Sequence, residues 1–217
     1  MVSLCFAQSL DGCIAWQRGQ PTALSGPESS RLTHRLRAAH DAILAGVGTI
    51  LADDPLLTVR LVEGGNPQPV ILDSRLRIPL EARLLTQNPR RPWIACTPAA
   101  DPARRAALER HGATVLTVPA GPDGQVDLPS LLACLYERGI HRLMVEGGAT
   151  VITSFLAQGL VDWVVLTVAP VFLGGLHAVE EPPWQSGSSQ MPLPRLQIIE
   201  SEQKGEDLVL LGQMAKS

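Results

Sequence analysis

The sequence predicts an α/β fold: a mostly parallel central sheet with an antiparallel C-terminal hairpin. Three observations lead there. Short apolar runs without polar alternation, among them Asp41-Ala-Ile-Leu-Ala45, Pro69-Val-Ile-Leu-Asp73 and Leu143-Met-Val145, read as strands covered on both faces. Helical stretches alternate with them, Pro102 to His111 and Pro129 to Arg138, each opened by a proline and the second closed by Gly139. At the end, Leu196 to Ser201 and Asp207 to Leu211 flank Lys204-Gly205 and read as a hairpin. No linker or internal repeat interrupts residues 1–217, which are read as one domain.

The remaining elements follow in order. Val2 to Ala7 reads as the first strand, Asp11-Gly12 as a turn, and Cys13-Ile14-Ala15 as the resumption of that strand. Trp16 to Gly26 is polar and broken by Gly and Pro, a loop of functional length. A helix starts at Ser25-Gly26-Pro27-Glu28, with Ser25 or Gly26 as cap. Leu32, Leu36 and Ala39 form its apolar stripe, and Arg31, Arg35 and Arg37 lie elsewhere on the cylinder, where a solvated face is the plain reading. After the strand at Asp41 to Ala45, Gly46-Val-Gly-Thr49 turns into a short helix over Ile50 to Asp53, stopped by Pro55. Pro92 to Cys96, Ala113 to Val118 and Asp162 to Val168 are further strands, and Glu180 to Pro194 is a Pro/Ser/Gly-rich loop.

Composition narrows the function. With 45% apolar and 18% charged residues the chain can bury a sizeable core, which excludes a disordered protein. A net charge of −3 and 4% aromatics provide neither a basic footprint nor a stacking surface, so nucleic acid is not an expected partner. Cys5, Cys13, Cys96 and Cys134 are scattered without a C-x-x-C or Cys/His cluster, and read as buried thiols, with no metal site. The longest apolar stretch, Val161 to Leu176, is broken by Asp162, Pro170 and glycines. No membrane span is expected, and the protein is read as cytoplasmic.

The stretch Leu143-Met-Val-Glu-Gly-Gly-Ala-Thr-Val-Ile-Thr-Ser-Phe-Leu156 organises the rest. It reads as a buried strand, a glycine pair and a helix with Val151, Ile152, Phe155 and Leu156 at helical spacing. Gly147-Gly148 is expected to use backbone angles closed to other residues and to let a ligand reach the main chain. A helix beginning there directs free N–H groups and its positive dipole end at whatever covers the turn, which suits a phosphate. Glu146 falls at the strand's carboxyl end, where open α/β sheets place ligands. An ordinary strand-to-helix turn fits the same residues.

Several motifs in one order add a resemblance. Ser9-Leu-Asp-Gly12, Ala42-Ile-Leu44, Thr49-Ile-Leu-Ala-Asp-Asp-Pro-Leu-Leu-Thr-Val-Arg60, Leu72-Asp-Ser74, Val145-Glu-Gly-Gly148 and Ala169-Pro-x-x-Leu-Gly-Gly175 resemble the reductase half of the bifunctional riboflavin-biosynthesis deaminase–reductase. The resemblance runs from about residue 2 to residue 213. It implies a three-layer, dihydrofolate-reductase-like fold, a homodimer, and NADPH-dependent reduction of the ribosyl group of 5-amino-6-(5-phosphoribosylamino)uracil. Hydride would pass from the nicotinamide to C1′ of the sugar, with the protein orienting the reactants and excluding water.

Carried onto matching positions, the resemblance implies that Gly148, Ala149, Thr150, Val151, Ile152, Thr153 and Ser154 cradle the cofactor's phosphates. Thr49 and Asp53 would lie along the nicotinamide, with Ala7 giving main-chain contacts. Ser74, with Arg75, would meet the adenosine 2′-phosphate. Arg37 and Arg60 would hold the substrate's 5′-phosphate, Leu57 its pyrimidine or ribosyl part, and Glu146 a polar edge. Asp53 and Glu146 are thus the catalytic candidates, while Ser25 and Asp11 stay structural. The chain departs from the family where a first-strand lysine is usual (Cys5 here) and where a loop tryptophan is usual (Ala23 here), with Trp16 nearby to cover the cofactor instead. It carries no His-x-Glu and no Pro-Cys-x-x-Cys, so a stand-alone reductase supplied by a separate deaminase is expected. An undeaminated pyrimidine or a pterin as substrate, or a catalytically silent nucleotide-binding relative, are the alternatives.

Overall fold

The computed structural model describes residues 1–180 and 193–215. The main sheet is built from β1 (Val2–Ser9), β3 (Ala42–Gly46), β4 (Gln68–Leu72), β5 (Trp93–Cys96), β6 (Thr114–Thr117), β7 (Leu143–Val145), β8 (Trp163–Ala169), β10 (Leu196–Lys204) and β11 (Asp207–Met214). Their order is β10-β11-β8-β1-β7-β3-β4-β5-β6. From β8 to β6 neighbours run parallel, and β11 and β10 add the antiparallel edge, so the expected hairpin forms and is longer than read.

Both faces of the sheet are covered, giving the three layers expected. On one face Leu4, Leu44, Val70, Ala95 and Val145 pack on helices α5 (Leu128–Glu137) and α6 (Ala149–Ala157) through Leu131, Leu135, Ile152 and Phe155. On the other, Ile43, Ala45, Ile71 and Ile94 meet Ile50 of α2 (Val47–Asp53), Leu84 of α3 (Arg83–Thr86) and Leu108 of α4 (Pro102–Arg110). Cys5, Met144, Val165 and Val209 continue that second face against Leu32 and Leu36 of α1 (Pro27–Ala39). This is why the parallel strands read as unbroken apolar runs: neither face sees water.

The topology fixes where a ligand can sit. The chain leaves β1, builds β3 to β6 outward on one side, then returns as β7 into the gap between β1 and β3. Leu4 and Leu44 both pair with Val145, so β7 stops there while β1 runs on to Ser9 and β3 to Gly46 on either side of it. Ala7, Glu146–Gly148 and Gly46–Thr49 therefore share one edge at the point where the strand order reverses, the usual ligand position in such sheets.

Three expectations need correction, and one element carries no sequence signal. Cys13–Ala15 does not continue β1 but forms β2, paired antiparallel with β9 (Leu176–His177) in a separate small sheet. Helix α3 carries no sequence signal at four residues. In α1 the stripe is displaced: Ala39 is exposed, Leu32 and Leu36 are half-buried, and Ser29 and His34 are buried. Finally, Gly147 and Gly148 do not have positive φ. Gly148 is extended (φ −72°, ψ 177°), and what the pair supplies is space: a Cβ on Gly147 would lie 2.5 Å from Val151 Cβ. The loop read over Glu180 to Pro194 lies, apart from its ends, outside the described residues.

Candidate active site

Glu146 leaves the end of β7 anchored by its own N–H, which donates to the Leu44 carbonyl at 2.8 Å. Its carboxylate takes a two-pronged bond from Arg37 of α1, Nε to Oε1 at 2.8 Å and Nη2 to Oε2 at 2.6 Å. The side chains are 12% and 17% exposed, so the pair works at low dielectric. Burial alone would lower the proton affinity of Arg37; the hydrogen bonds and charge of Glu146 outweigh it and raise it. Arg37 Nη1 also donates to the Thr58 carbonyl at 3.0 Å, leaving the guanidinium two uncommitted N–H groups. The structure thus joins two residues that the resemblance assigned separately to phosphate and to a polar edge.

Cys5 lies within the field of this pair. Burial, and after it the charge of Glu146, push its thiol well above the ordinary range, which makes it an inert apolar neighbour.

Arg37 also lines a cavity of about 330 Å³, with Asp53, Pro55, Leu56, Leu57, Arg60 and Arg83. The Asp-Asp-Pro motif builds its wall. Asp53 ends α2 facing the cavity, where burial raises its carboxyl above the usual range. Asp54 takes a left-handed conformation (φ 41°) and its Oδ1 accepts from the Arg83 N–H at 2.9 Å, fixing the start of α3. Leu57 is buried and also left-handed (φ 53°), a conformation that costs a non-glycine residue about 1–3 kcal/mol and that accumulates at ligand sites.

The segment from Pro55 to Arg60 has no regular structure, so side chains satisfy its backbone. Asn88 Nδ2 donates to the Leu56 carbonyl at 2.5 Å, and the Val59 N–H donates to Asn66 Oδ1 at 2.7 Å. The Arg60 N–H donates to His34 Nδ1 at 2.9 Å. His34 accepts there, and burial followed by Arg37 and Arg60 lowers its proton affinity, which keeps the imidazole neutral. Arg60 Nη1 donates to Thr58 Oγ1 at 2.7 Å. The supports His34, Asn66 and Asn88 escaped the sequence reading: each is a lone polar residue whose partner is known only once the chain has folded.

Helix α6 borders a second cavity. Gly148 is its N-cap, and the N–H groups of Ala149 and Thr150 have no partner among the described residues. Those of Val151 and Ile152 bond to the Gly148 carbonyl, and their side chains are buried. Thr150, Thr153 and Ser154 line an outward cavity of about 400 Å³ with Arg18 and Glu180, which form an ion pair over its mouth. Neither charge was singled out in the sequence. Thr49 approaches from α2, its Oγ1 3.5 Å from where a Cβ on Gly148 would stand. An N-cap without a side chain, free first-turn N–H groups and flanking hydroxyls fit a phosphate.

Ala7 is half-exposed near the end of β1, beside Thr167. Ser74 is buried; its Oγ accepts from the Val126 N–H at 3.1 Å, and its carbonyl accepts from the Thr97 hydroxyl. Arg75 beside it is exposed. Asp11 accepts from the N–H groups of Leu173 and Gly174 at 3.0 and 2.6 Å and from the Ser9 hydroxyl, tying the Ser-Leu-Asp-Gly turn to the Leu-Gly-Gly turn. These bonds hold its carboxyl far below the usual range. Ser25 makes no cap bond; Gly26 is the N-cap, and its N–H donates to Asp207 Oδ2. Trp16 is exposed on the loop after β2.

The motifs at this edge agree with comparison to known proteins. Residues 1–210 match the RibD C-terminal domain. The chain belongs to that family. It is 40% identical over 212 residues to the 2,5-diamino-6-ribosylamino-4(3H)-pyrimidinone 5′-phosphate reductase of Methanothermobacter thermautotrophicus, covering 96% of this chain and 95% of that one. The Thermotoga maritima diaminohydroxyphosphoribosylaminopyrimidine deaminase/5-amino-6-(5-phosphoribosylamino)uracil reductase superposes with a TM-score of 0.77 at 27% identity, over 99% of this chain and 56% of that one. Dihydrofolate reductase from Enterococcus faecalis, at 13% identity and a TM-score of 0.51, shares the fold alone. The protein is thus an oxidoreductase of the riboflavin-biosynthesis reductase family, a membership that implies a nicotinamide cofactor. Among the described residues no helix is long and apolar enough to cross a membrane.

Proposed function

We propose that this protein uses NADPH to reduce the ribosyl group of a ribosylaminopyrimidine 5′-phosphate to its ribityl form. One observation carries the reading: the buried Arg37–Glu146 pair stands at the strand-order reversal, beside the Asp53 cavity and near the open first turn of α6. The cofactor, when bound, supplies hydride for C1′ of the sugar. The chain's own residues hold, align and dehydrate the reactants. The first-turn N–H groups after Gly148, with Thr150, Thr153 and Ser154, receive the cofactor's phosphates, and Ala7 and Thr49 border the nicotinamide. Ser74, whose hydroxyl keeps its proton for donation, and exposed Arg75 meet the 2′-phosphate that distinguishes NADPH from NADH. Glu146 keeps lone pairs for a polar edge of the substrate, and Leu57 packs on the ring system. Arg60 and the free donors of Arg37 face the 5′-phosphate. Asp53, whose carboxyl burial shifts toward higher proton affinity, lies beside the reacting sugar as the candidate proton-transfer group.

The uracil compound and the 2,5-diamino pyrimidinone differ in whether the pyrimidine has been deaminated. The 40% identical relative is named for the diamino compound, and the Thermotoga maritima protein for the uracil. The higher identity, over nearly the whole of both chains, favours the diamino substrate as the second reading. A homodimer is proposed as well: strand β10 is exposed along most of its length and presents Ile198 and Ile199 at a sheet edge.

The test is reductant oxidation with the purified protein, both ribosylaminopyrimidine phosphates, dihydrofolate, and NADPH or NADH. Turnover of at least one phosphate, with NADPH preferred, is the expected result. Cofactor binding with no turnover of either phosphate would overturn the substrate, and failure to bind NADPH would overturn the cradle at α6.

A further inference from the structure

The cavity beside Asp53 is lined by a third guanidinium that nothing above uses. Arg83 stands at the first position of α3, with its main chain pinned by Asp54, and its side chain reaches the same 330 Å³ space as Arg37 and Arg60. The commitments of the three cations differ. Arg37 spends its fork on Glu146 and a further N–H on the Thr58 carbonyl. Arg60 spends one N–H on Thr58 Oγ1. The only side-chain bond of Arg83 among the described residues is a long one, Nε to Gln87 Oε1 at 3.3 Å, and neither Nη has a partner. Arg83 and Arg60 also form no ion pair among the described residues.

The charge balance of the cavity is lopsided. Its lining holds three guanidinium groups against one carboxyl, Asp53, which burial holds toward the neutral form. Glu146 is occupied by Arg37. Burial, then the charges of Arg37 and Arg83, lower the proton affinity of Arg60, so the cations sense one another across the space. Three guanidinium groups that converge on one cavity against a single carboxyl leave it net positive, which suits an anion, and planar forks with free Nη groups suit phosphate oxygens.

Given the reading of this site as a reductase of a phosphorylated substrate, we infer that Arg83, together with Arg60, forms the phosphate clamp, while Arg37 serves mainly to position Glu146. The recognised group is a terminal phosphate monoester dianion on a pentose.

Steady-state kinetics of wild type and Arg83→Gln would be compared on the phosphorylated substrate and on its dephosphorylated nucleoside counterpart. Loss of a charge-assisted contact is expected to raise KM for the phosphorylated compound roughly tenfold or more, with kcat little changed. The nucleoside should lose nothing, because it lacks the group that Arg83 holds. Equal losses on both compounds would mean that Arg83 only supports the fold, and would overturn the assignment. Ribose 5-phosphate titrated calorimetrically into both proteins separates this inference from the reductase reading. Weaker binding to Arg83→Gln supports the clamp even if no pyrimidine is reduced; equal affinity, or no binding to wild type, overturns it. Arg83→Lys keeps the charge without the fork and should fall between the two. If Arg83→Gln does not fold, the Lys variant carries the same comparison.

Discussion

Glu146→Gln is the substitution that tests most of this structure at once. It is nearly isosteric, keeps a carbonyl oxygen for Arg37, and removes only the charge. At wild-type exposures of 12% and 17%, the Arg37 guanidinium would be left largely buried without a counter-ion. Breaking such a pair from one side costs about 3 kcal/mol or more, because the remaining charge keeps its desolvation penalty. For a domain of this size that corresponds to a fall in Tm of roughly 6–12 °C. The companion variant Arg37→Met/Glu146→Gln removes both charges and should recover much of the loss, a coupling of about 2 kcal/mol in a double-mutant cycle read by urea denaturation. Turnover should not recover with it, since neither residue can then serve the substrate. A Glu146→Gln cost below about 1 kcal/mol, or a double variant as unstable as the sum of the singles, would refute the claim that this is one buried ion pair.

Four further outcomes are expected. Gly147→Ala places a Cβ 2.5 Å from Val151 Cβ, a branch point that cannot turn away and that Val151→Ala would keep, and should destabilise by about 1–3 kcal/mol; an unchanged Tm would contradict the close-packing argument. Burial raises the Asp53 carboxyl, so the stability it contributes is present at low pH and lost as pH rises through the raised value; Asp53→Asn should therefore gain on wild type in urea midpoint as pH rises, and should flatten the corresponding limb of the kcat/KM profile. Ile198→Asp at the exposed edge strand should shift the light-scattering mass from dimer to monomer without lowering Tm by more than a few degrees. Cys5→Lys brings a second cation to a position 5% exposed and within the field of Glu146, where it competes with Arg37; a large fall in Tm is expected, and a variant as stable as wild type would show that this strand still accommodates a lysine.

Much of the architecture was legible because it depends on local pattern. The apolar runs at Ala42–Gly46 and Leu143–Val145 could be strands only if covered on both sides, and two sets of helices do cover them. The elements that stayed hidden depend on contacts distant in the chain. Cys13–Ala15 looks like more of the first strand until Leu176–His177 arrives to pair with it. Helix α3 exists because Asp54, 29 residues earlier, accepts the N–H of Arg83. His34 looks like a solvated helix residue, yet it is buried because its Nδ1 receives the Arg60 N–H.

The site shows the same division. Sequence motifs brought Asp53, Leu57, Arg60, Arg37 and Glu146 onto one list, but a list does not state how donors are shared. Two arginines named for one phosphate look equivalent until the structure gives one of them a carboxylate to hold. Arg37 sits on α1 and Glu146 at the end of β7, 109 residues apart, and no spacing rule links them. Once they pair, the uncommitted positive charge in the cavity rests with Arg60 and Arg83. The absent first-strand lysine becomes intelligible by the same arithmetic. Cys5 packs with Met144 and Val165 against α1, and the negative charge it would otherwise leave unanswered is already met by Arg37. A cation at residue 5 would be buried within the field of Glu146, a carboxylate that Arg37 already pairs.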